Sequence, residues 1–342
     1  MRKVTITKAG SPAVLALVNS DKPTAGKNEI CIKVNTVGVA FADTLLREGV
    51  YPGFKAKGTT PGYDVVGTID SIGDSADESE FNVGDKVVAL TEVGGYADYC
   101  TVSKHRVALC PEGLDDVETV SLVLNYLTAY QMLTHIARVK PGDTILIHGA
   151  AGGVGTALVQ LCKVIGGITI YGTASKMKHQ MLVDMGVRPI DYQHEDFVEV
   201  IKESCPEGID IVFDAIGGKN WKRSYRVLRT GGLLMAYGFS SITKNGRFHF
   251  PSAIKSLLSA PFPGLLTVLN DTKGVLGYNI RAFTDKRPES FRPDMQVLLG
   301  LLKSGKIKPV VGKVLSLDQV KQAHELMGES AVQGKIVLVV NK

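Results

Sequence analysis

Apolar and polar positions follow two rhythms along this chain. Through the first third, apolar residues come in short runs at 29–39, 64–72, 86–90, 96–102 and 106–109, separated by Gly, Asp and Pro. Such runs predict strands of an antiparallel, barrel-like domain. A longer apolar stretch over roughly 117–134 predicts a helix, and beyond it the rhythm changes. A Pro141-Gly142-Asp143 turn enters a short apolar strand, followed by helix 154–165, strand 168–171, helix 176–185, strand 189–192, helix 195–203 and strand 209–213. Regular alternation forces parallel pairing with right-handed crossovers, so the expected fold is a doubly wound α/β sheet whose ligand crevice opens at the strands' carboxyl ends.

The remainder reads as strand 232–237, a Pro-broken apolar helix 251–269, strand 274–278, a helix around 293–304, strand 313–317, helix 318–329 and strand 335–340. The last strands have no crossover partners left in the doubly wound sheet and are expected to return to the first domain. The layout is therefore a β-rich domain from 1–122 and 306–342, and a Rossmann-type dinucleotide-binding domain from 123–305, with the boundary inside helix 117–134.

The segment VKPGDTILIHGAAGGVG, Val139 to Gly155, is the best candidate for binding chemistry. Gly149, Gly152, Gly153 and Gly155 let the backbone turn tightly and approach a ligand, and N–H groups from Val154 onward aim donors and a partial positive charge at it. Ala150 replaces the first glycine of the usual G-x-G-x-x-G, leaving A-x-G-x-x-G. An ordinary strand-to-helix loop is the competing reading; the strand–helix alternation that follows favours a pyrophosphate cradle. The adenosine end is normally read by an acidic residue at the tip of the second strand, but Gly172-Thr173-Ala174-Ser175-Lys176 offers a hydroxyl and an ammonium there. These attract a 2′-phosphate, so NADPH is the expected cofactor. Lys176 as one more solvated lysine is the alternative, although a helix start disfavours a cation.

Composition narrows the class. The chain has 342 residues, 44% of them apolar, and 37 glycines, enough for a two-domain α/β protein with many turns. A net charge of +5, with no basic run interleaved with aromatics, argues against nucleic acid. The N-terminal residues enter a strand without an apolar signal region, and no apolar stretch approaches the roughly 20 residues of a membrane span, so a cytoplasmic protein without stable membrane insertion is expected. Cys31, Cys100, Cys110, Cys162 and Cys205 fall singly, with no C-x-x-C, as reduced packing residues do.

Several landmarks together resemble the medium-chain dehydrogenase/reductase superfamily over essentially the whole chain. They are residues 38–43 (GVAFAD), 61–67 (PGYDVVG), 83–87 (VGDKV), 94–97 (GGYA), the 150–155 loop and Gln333-Gly334-Lys335. The resemblance implies that the β-rich domain is a GroES-like catalytic domain. The superfamily's zinc enzymes place a cysteine where this chain has Ala40 and a His-Glu pair where it has Tyr63-Asp64, and no cysteine quartet is present. A methyl group and a phenol do not make a zinc site, so no metal is expected. Without a Lewis acid, hydride goes to acceptors that are already electron-poor, namely quinones or α,β-unsaturated carbonyls.

The chain is accordingly similar to the zinc-free quinone oxidoreductase branch. That resemblance implies NADPH contacts at Gly152, Gly153, Val154, Gly172, Ser175, Lys176 and Tyr192, the last either on the adenosine phosphate or capping the following helix. It further implies contacts at Thr128, Gly217, Phe239, Ser240, Leu276, Gly277 and Lys335, and a homodimer. Phe239 departs from a polar residue, Ala40 from an asparagine and Ser330 from an arginine of the bacterial quinone reductases. Residues 172–278 also resemble the vesicle amine transport protein and its homologues. The basic and apolar segment 244–269 suggests a substrate lid, with a membrane-touching surface as the alternative.

Phe41, Tyr51 and Tyr63 are the candidate substrate wall, able to hold a flat acceptor, with Tyr51 the candidate hydrogen-bond donor to the substrate oxygen; core packing is the competing role for all three. Asp43 is expected to cap a helix at 43–47, and Asp64 to brace backbone. The expected function is NADPH-dependent, zinc-independent reduction of a quinone or enone. The alternative is a non-catalytic NADPH-binding protein acting through its surface, at a membrane or on a partner.

Overall fold

The structure, a computed structural model, describes residues 1–74, 80–244, 247–248, 264–329 and 332–340. The chain divides into two compact units, Met1–Leu127 with Asn245–Arg247 and Arg281–Lys342, and Thr128–Lys244 with Phe248–Ile280.

The first unit is strand-rich. β1 (Arg2–Ile6) and β2 (Leu15–Asn19) form an antiparallel ribbon. A larger sheet contains β3 (Glu29–Val39), β4 (Asp64–Ile72), β5 (Lys86–Leu90), β6 (Tyr99–Ser103) and β7 (Val107–Leu109), with β16 (Val311–Ser316) and β17 (Lys335–Val339) from the far end of the chain. Alternation along β3 explains the core: Ile30, Ile32 and Val34 are fully buried, and after an irregularity between Val34 and Thr36 the buried positions resume at Val37 and Val39. One extra residue shifts the inward phase by one. β17 pairs antiparallel with β3, from Ile336 opposite Val39 to Val339 opposite Thr36, and β16 lies parallel outside it. β6 starts at Tyr99 rather than 96 because the chain turns tightly beforehand, with Tyr96 N–H bonded to the Pro61 carbonyl at 2.9 Å.

Helix α1 (Phe41–Arg47) connects β3 to β4 within this strand-rich unit, and α2 (Asp116–Gln131) leads out of it. Asp115 caps α2, accepting the N–H groups of Val117 and Glu118 at 2.9 Å each, and a π-helical turn, Met132–Ile136, continues it. The division between units falls inside α2, after Leu127.

In the second unit strands and helices alternate: β8 (Thr144–His148), α3 (Gly153–Ile165), β9 (Thr169–Ala174), α4 (His179–Asp184), β10 (Arg188–Asp191), α5 (Phe197–Ser204), β11 (Ile209–Asp214), α6 (Lys219–Arg226) and β12 (Leu228–Ala236). The two-residue strands β13 (Thr243–Lys244) and β14 (Arg247–Phe248), helix α7 (Leu265–Asp271) and β15 (Gly274–Gly277) follow. The six-stranded sheet has the order β10-β9-β8-β11-β12-β15, and every pairing in it is parallel. The chain winds outward from β8 to β10, then restarts on the other side at β11. The switch point therefore lies at the carboxyl ends of β8 and β11, where open α/β sheets bind ligands.

Local chemistry moves some expected boundaries. Helix 195–203 begins later, at Phe197, because the Asp196 carboxylate accepts the Val198 N–H at 2.8 Å as N-cap. Helix 176–185 is split, with a 3-10 turn over Lys176–Lys178 before α4. Of the apolar stretch 251–269, residues 251–263 lie outside the described residues, as does Ser330. Helices α8 (Ile280–Lys286), α9 (Phe291–Lys303) and α10 (Val320–Gly328) complete the chain. α9 belongs with the β-rich unit, where Arg292 donates to the Val107 carbonyl at 3.1 Å and the Lys104 carbonyl at 2.8 Å, so residues 281–305 fall on that side and not with the parallel sheet. All five cysteines are unpaired.

Candidate active site

The glycine bend closes between β8 and α3. Gly149 adopts φ 69°, a left-handed conformation that glycine takes at little cost. Gly152 is the N-cap of α3, and the first intrahelical bond runs from Thr156 N–H to the Gly152 carbonyl at 2.9 Å, so the N–H groups of Gly153, Val154 and Gly155 stand at the open end of the helix. A Cβ on Gly155 would lie 2.3 Å from the Gly149 carbonyl oxygen, and one on Gly172 would lie 2.6 Å from the Ala150 Cβ. Ala150, buried under β9, fills the place of the missing first glycine without opening the bend.

At the adenosine end, β9 and β10 run parallel with Asp191 opposite Ala174, which brings Ser175 and Tyr192 next to each other just past the pair. Tyr192 N–H bonds the Ala174 carbonyl at 3.4 Å, and its side chain is 58% exposed. Lys176 is exposed, while Lys178, at the far end of the same turn, is half-buried and its ammonium lowered by burial. The nearby carboxylate of Asp191 is turned to its own loop, accepting the Gln193 N–H at 3.1 Å and facing His194 Nδ1 at 2.7 Å.

The loops after β11 and β12 interlock. Gly217 has φ 80°, and a Cβ there would strike the Phe239 ring at 2.4 Å; that ring also packs against Trp221, 5.2 Å between centroids. Ser240 N–H reaches the Ala215 carbonyl at 3.0 Å. Phe239, a departure from the quinone reductase pattern, thus covers Gly217. Leu276 and Gly277 end β15 and are exposed, and Thr128 is a buried residue of α2.

A buried hydrogen-bond chain that the sequence did not reveal ties these strand ends together. Gly149 N–H donates to Thr173 Oγ1 at 3.2 Å, which meets His148 Nδ1 at 3.2 Å; His148 Nε2 meets Ser224 Oγ at 3.0 Å, and Ser224 donates to Asp214 Oδ2 at 2.7 Å. The Ser224 proton is committed to Asp214, so His148 donates from Nε2 and accepts at Nδ1. Burial lowers the His148 pKa, as a neutral ring in this role requires. Asp214 also accepts the N–H groups of Ile216 at 2.7 Å and Gly217 at 3.1 Å.

In the β-rich unit, Tyr51 and Tyr63 come together, hydroxyl to hydroxyl at 3.1 Å with their rings edge to face. Burial raises both phenols, so both are neutral donors at ordinary pH. Phe41 opens α1 and is half-buried, with no contact to the pair shown. Asp43 is not the N-cap expected of it. Ala40 holds that place, and Asp43, in the third helical position, reaches back to the Ala40 N–H at 2.9 Å and across to the Gly62 N–H at 2.8 Å. Lys335, expected at the cofactor, is buried with its ammonium 2.9 Å from Asp64 Oδ2; Asp64 also accepts the Leu124 N–H at 3.1 Å. The backbone passes this pair so closely that a Cβ on Gly38 would lie 2.3 Å from the lysine Cε.

A second buried chain backs α1. Arg47 Nη1 lies 3.1 Å from His324 Nδ1, His324 Nε2 3.2 Å from the Tyr96 hydroxyl, and Tyr96 donates to Asp43 Oδ2 at 3.2 Å. Arginine can only donate, so the ring accepts at Nδ1 and donates from Nε2. Burial, then the arginine charge, lowers His324 to about 3 and keeps it neutral. Among the described residues no group of three His, Cys, Asp or Glu could hold a metal ion, and no helix is long and apolar enough to cross a membrane.

A six-stranded doubly wound sheet with a glycine bend at its switch point, joined to a strand-rich unit carrying paired phenols, is the architecture of a dinucleotide-linked oxidoreductase. Comparison with known proteins agrees. The alcohol dehydrogenase GroES-like domain model matches residues 26–112 and the zinc-binding dehydrogenase model residues 186–338. The synaptic vesicle membrane protein VAT-1 homolog of Danio rerio is 32% identical over 330 residues, covering 96% of this chain and 68% of the relative. Human quinone oxidoreductase is 31% identical over 347 residues, covering 99% of this chain and 98% of the relative. The crystal structure of Escherichia coli quinone oxidoreductase complexed with NADPH matches with a TM-score of 0.86 at 27% identity, over 99% of this chain and 100% of that one. The chain belongs to the medium-chain dehydrogenase/reductase superfamily, in its quinone oxidoreductase branch, and is also similar to the VAT-1 proteins.

Proposed function

We propose that this protein is an NADPH-dependent, zinc-independent oxidoreductase that reduces a quinone or an α,β-unsaturated carbonyl compound. The observation that carries the reading is the glycine bend, where added Cβ atoms at Gly155 and Gly172 would collide with the loop, beside a β9 tip whose side chains are Ser175 and Lys176. Those residues fit a dinucleotide with a 2′-phosphate. Gly152, Gly153 and Val154 would hold the pyrophosphate, Ser175, Lys176 and Tyr192 the adenosine phosphate, and Gly172, Gly217, Phe239, Ser240, Leu276, Gly277 and Thr128 the rest. Lys335 braces Asp64 and is better assigned to the scaffold. The residues do not fit zinc: Ala40 has no ligand atom, and Asp43 spends its oxygens on Ala40, Gly62 and Tyr96.

Bound NADPH supplies hydride to an electron-poor carbon. The chain's own part is orientation and proton supply. Tyr51 donates a hydrogen bond to the acceptor oxygen as it gains negative charge, while Tyr63 orients the Tyr51 hydroxyl at 3.1 Å. Hydride plus one proton completes either product, a hydroquinone or a saturated carbonyl compound. By likeness to its relatives we infer a homodimer; the sheet order ends at β15, which presents an open edge among the described residues. A cytoplasmic location goes with this reading.

One observation favours a second reading, a nucleotide-binding protein acting through its surface: Leu265, Leu266 and Leu269 of α7 are all exposed. The two separate in one assay. Purified protein should oxidise NADPH with 1,2-naphthoquinone or with an enal, and Tyr51→Phe should slow it by about 10²-fold. Tight NADPH binding with no turnover across a broad acceptor panel selects the second reading.

A further inference from the structure

The β-rich unit holds a compact group of four charges that the reaction above does not use. Glu92 is buried in a left-handed conformation, φ 63°, which is strained for a non-glycine residue and persists only where surroundings impose it. Its carboxylate pairs with Arg106 Nη1 at 2.7 Å and Arg281 Nε at 3.3 Å; Asp285 pairs with Arg106 and lies 3.9 Å from Arg281. Two arginines facing two carboxylates leave no net charge, so the group is a poor anion site. Its geometry points elsewhere, along Arg281.

Arg281 leaves the group in the direction of Tyr51. Its Nη1 donates to the Pro52 carbonyl at 3.1 Å, and its guanidinium lies 4.7 Å from the Phe54 ring centroid. Gly53, at φ 85°, bends the chain so closely around it that a Cβ would lie 2.7 Å from Nη1. The Phe54 ring in turn stacks on Tyr51, 6.0 Å between centroids at 25°. Pro52 and Gly53 are exposed and the segment belongs to no strand or helix, so the clamp adds to the packing of Tyr51 and Phe54 against the core in holding it.

We propose that Arg281 is a positioning residue for the acceptor: its guanidinium clamps residues 52–54, fixes the Tyr51 ring, and makes Phe54 part of the aromatic wall. A planar fork can serve a carbonyl, a carboxylate and a ring face at once; an ammonium cannot. The inference rests on the reading of Tyr51 as donor and deepens it. It selects flat, uncharged acceptors that stack, because the charges nearest the wall are already matched.

Steady-state kinetics on the full-length protein test this. Arg281→Met should lower kcat/KM for 1,2-naphthoquinone by about 10–100-fold, the loss expected of a displaced orienting group, with NADPH affinity unchanged and Arg281→Lys intermediate. The alkaline limb of its pH profile should move upward: burial raises the Tyr51 phenol, the Tyr63 hydrogen bond and then the Arg281 charge oppose that rise, and Glu92 and Asp43 add to it, so losing the arginine leaves the rise less opposed. A residue without charge at Tyr51 would leave that limb in place. Phe54→Leu, which spares the ion pairs, should cut kcat/KM in the same direction even if Arg281→Met does not fold. Wild-type kcat/KM and pH profile in Phe54→Leu and in any folded Arg281→Met, with Tyr51→Phe still slow, overturn the clamp alone. Wild-type turnover in Tyr51→Phe removes the donor reading and the inference with it.

Discussion

A carboxylate without solvent must be matched donor by donor, and Asp43 is: two backbone N–H groups and a phenol converge on its two oxygens. Burial nevertheless lifts its pKa from 3.8 to about 6. The folded state therefore binds the proton more tightly than the unfolded chain does. The stability this contributes is fully present below pH 4 and lost as pH rises through about 6, a change of about 3 kcal/mol. Chemical denaturation of wild type and Asp43→Asn across this window should show the wild-type advantage shrinking between pH 4 and 6 and flat above; a constant difference would sink the assignment. At the β9 tip, Lys176→Ala should weaken NADPH by about tenfold while leaving NADH unchanged, since a charge-assisted phosphate contact is worth about 1.4 kcal/mol or more. Titration by nicotinamide fluorescence reads both. Tyr63 and the basic β9 tip were legible because each is a residue type standing where another is expected. The role of Asp43 was not, since a side chain reaching back from the third helical position is recognisable in sequence only beside a Ser or Thr cap, and here the cap is Ala40.

Among elements, the strand ends around the switch point act as one piece. The chain from Gly149 through Thr173, His148 and Ser224 to Asp214 crosses β8, β9, β11 and α6, and then reaches the Gly217 turn. Ser224→Ala strands the His148 N–H and removes one donor from Asp214, a loss of about 1–3 kcal/mol. Calorimetry should show the melting temperature falling by about 2–4 °C for each kcal/mol, with NADPH affinity falling too; an unchanged melting temperature would show that the chain carries no energy. The sequence announced the strands and the alternation through periodicity. It was silent on α6, whose polar stretch KNWKRSYR buries only Ser224 and Tyr225, and it ran 176–185 together because the break at Lys178 comes from turn geometry and not from composition. His148 and Ser224 meet only once the sheet has formed, and nothing at a separation of 76 residues signals that in one dimension.

For the whole molecule, the matching family is that of zinc-binding dehydrogenases, while the residues at the expected ligand positions are Ala40 and Tyr63. Elemental analysis of untagged protein should find no stoichiometric zinc, and a strong chelator should leave turnover unchanged; a tightly held equivalent of metal would overturn the metal-free reading. The two-unit layout was readable from the change of rhythm near α2. The placement of α9 was not, because an amphipathic helix suits either unit until Arg292 finds the Lys104 and Val107 carbonyls. The pairing of β17 with β3 has a temporal side. A ribosome delivers Thr36–Val39 long before Ile336–Val339, at about 5–20 residues per second, and in the interval β6 can pair with Glu29–Lys33 while the Thr36–Val39 end of the same strand lacks its β17 partner. The parallel sheet, drawn from the middle of the chain, has all its strands in hand earlier. During synthesis the nucleotide unit can mature first, and the unit that begins the chain is the last to be sealed.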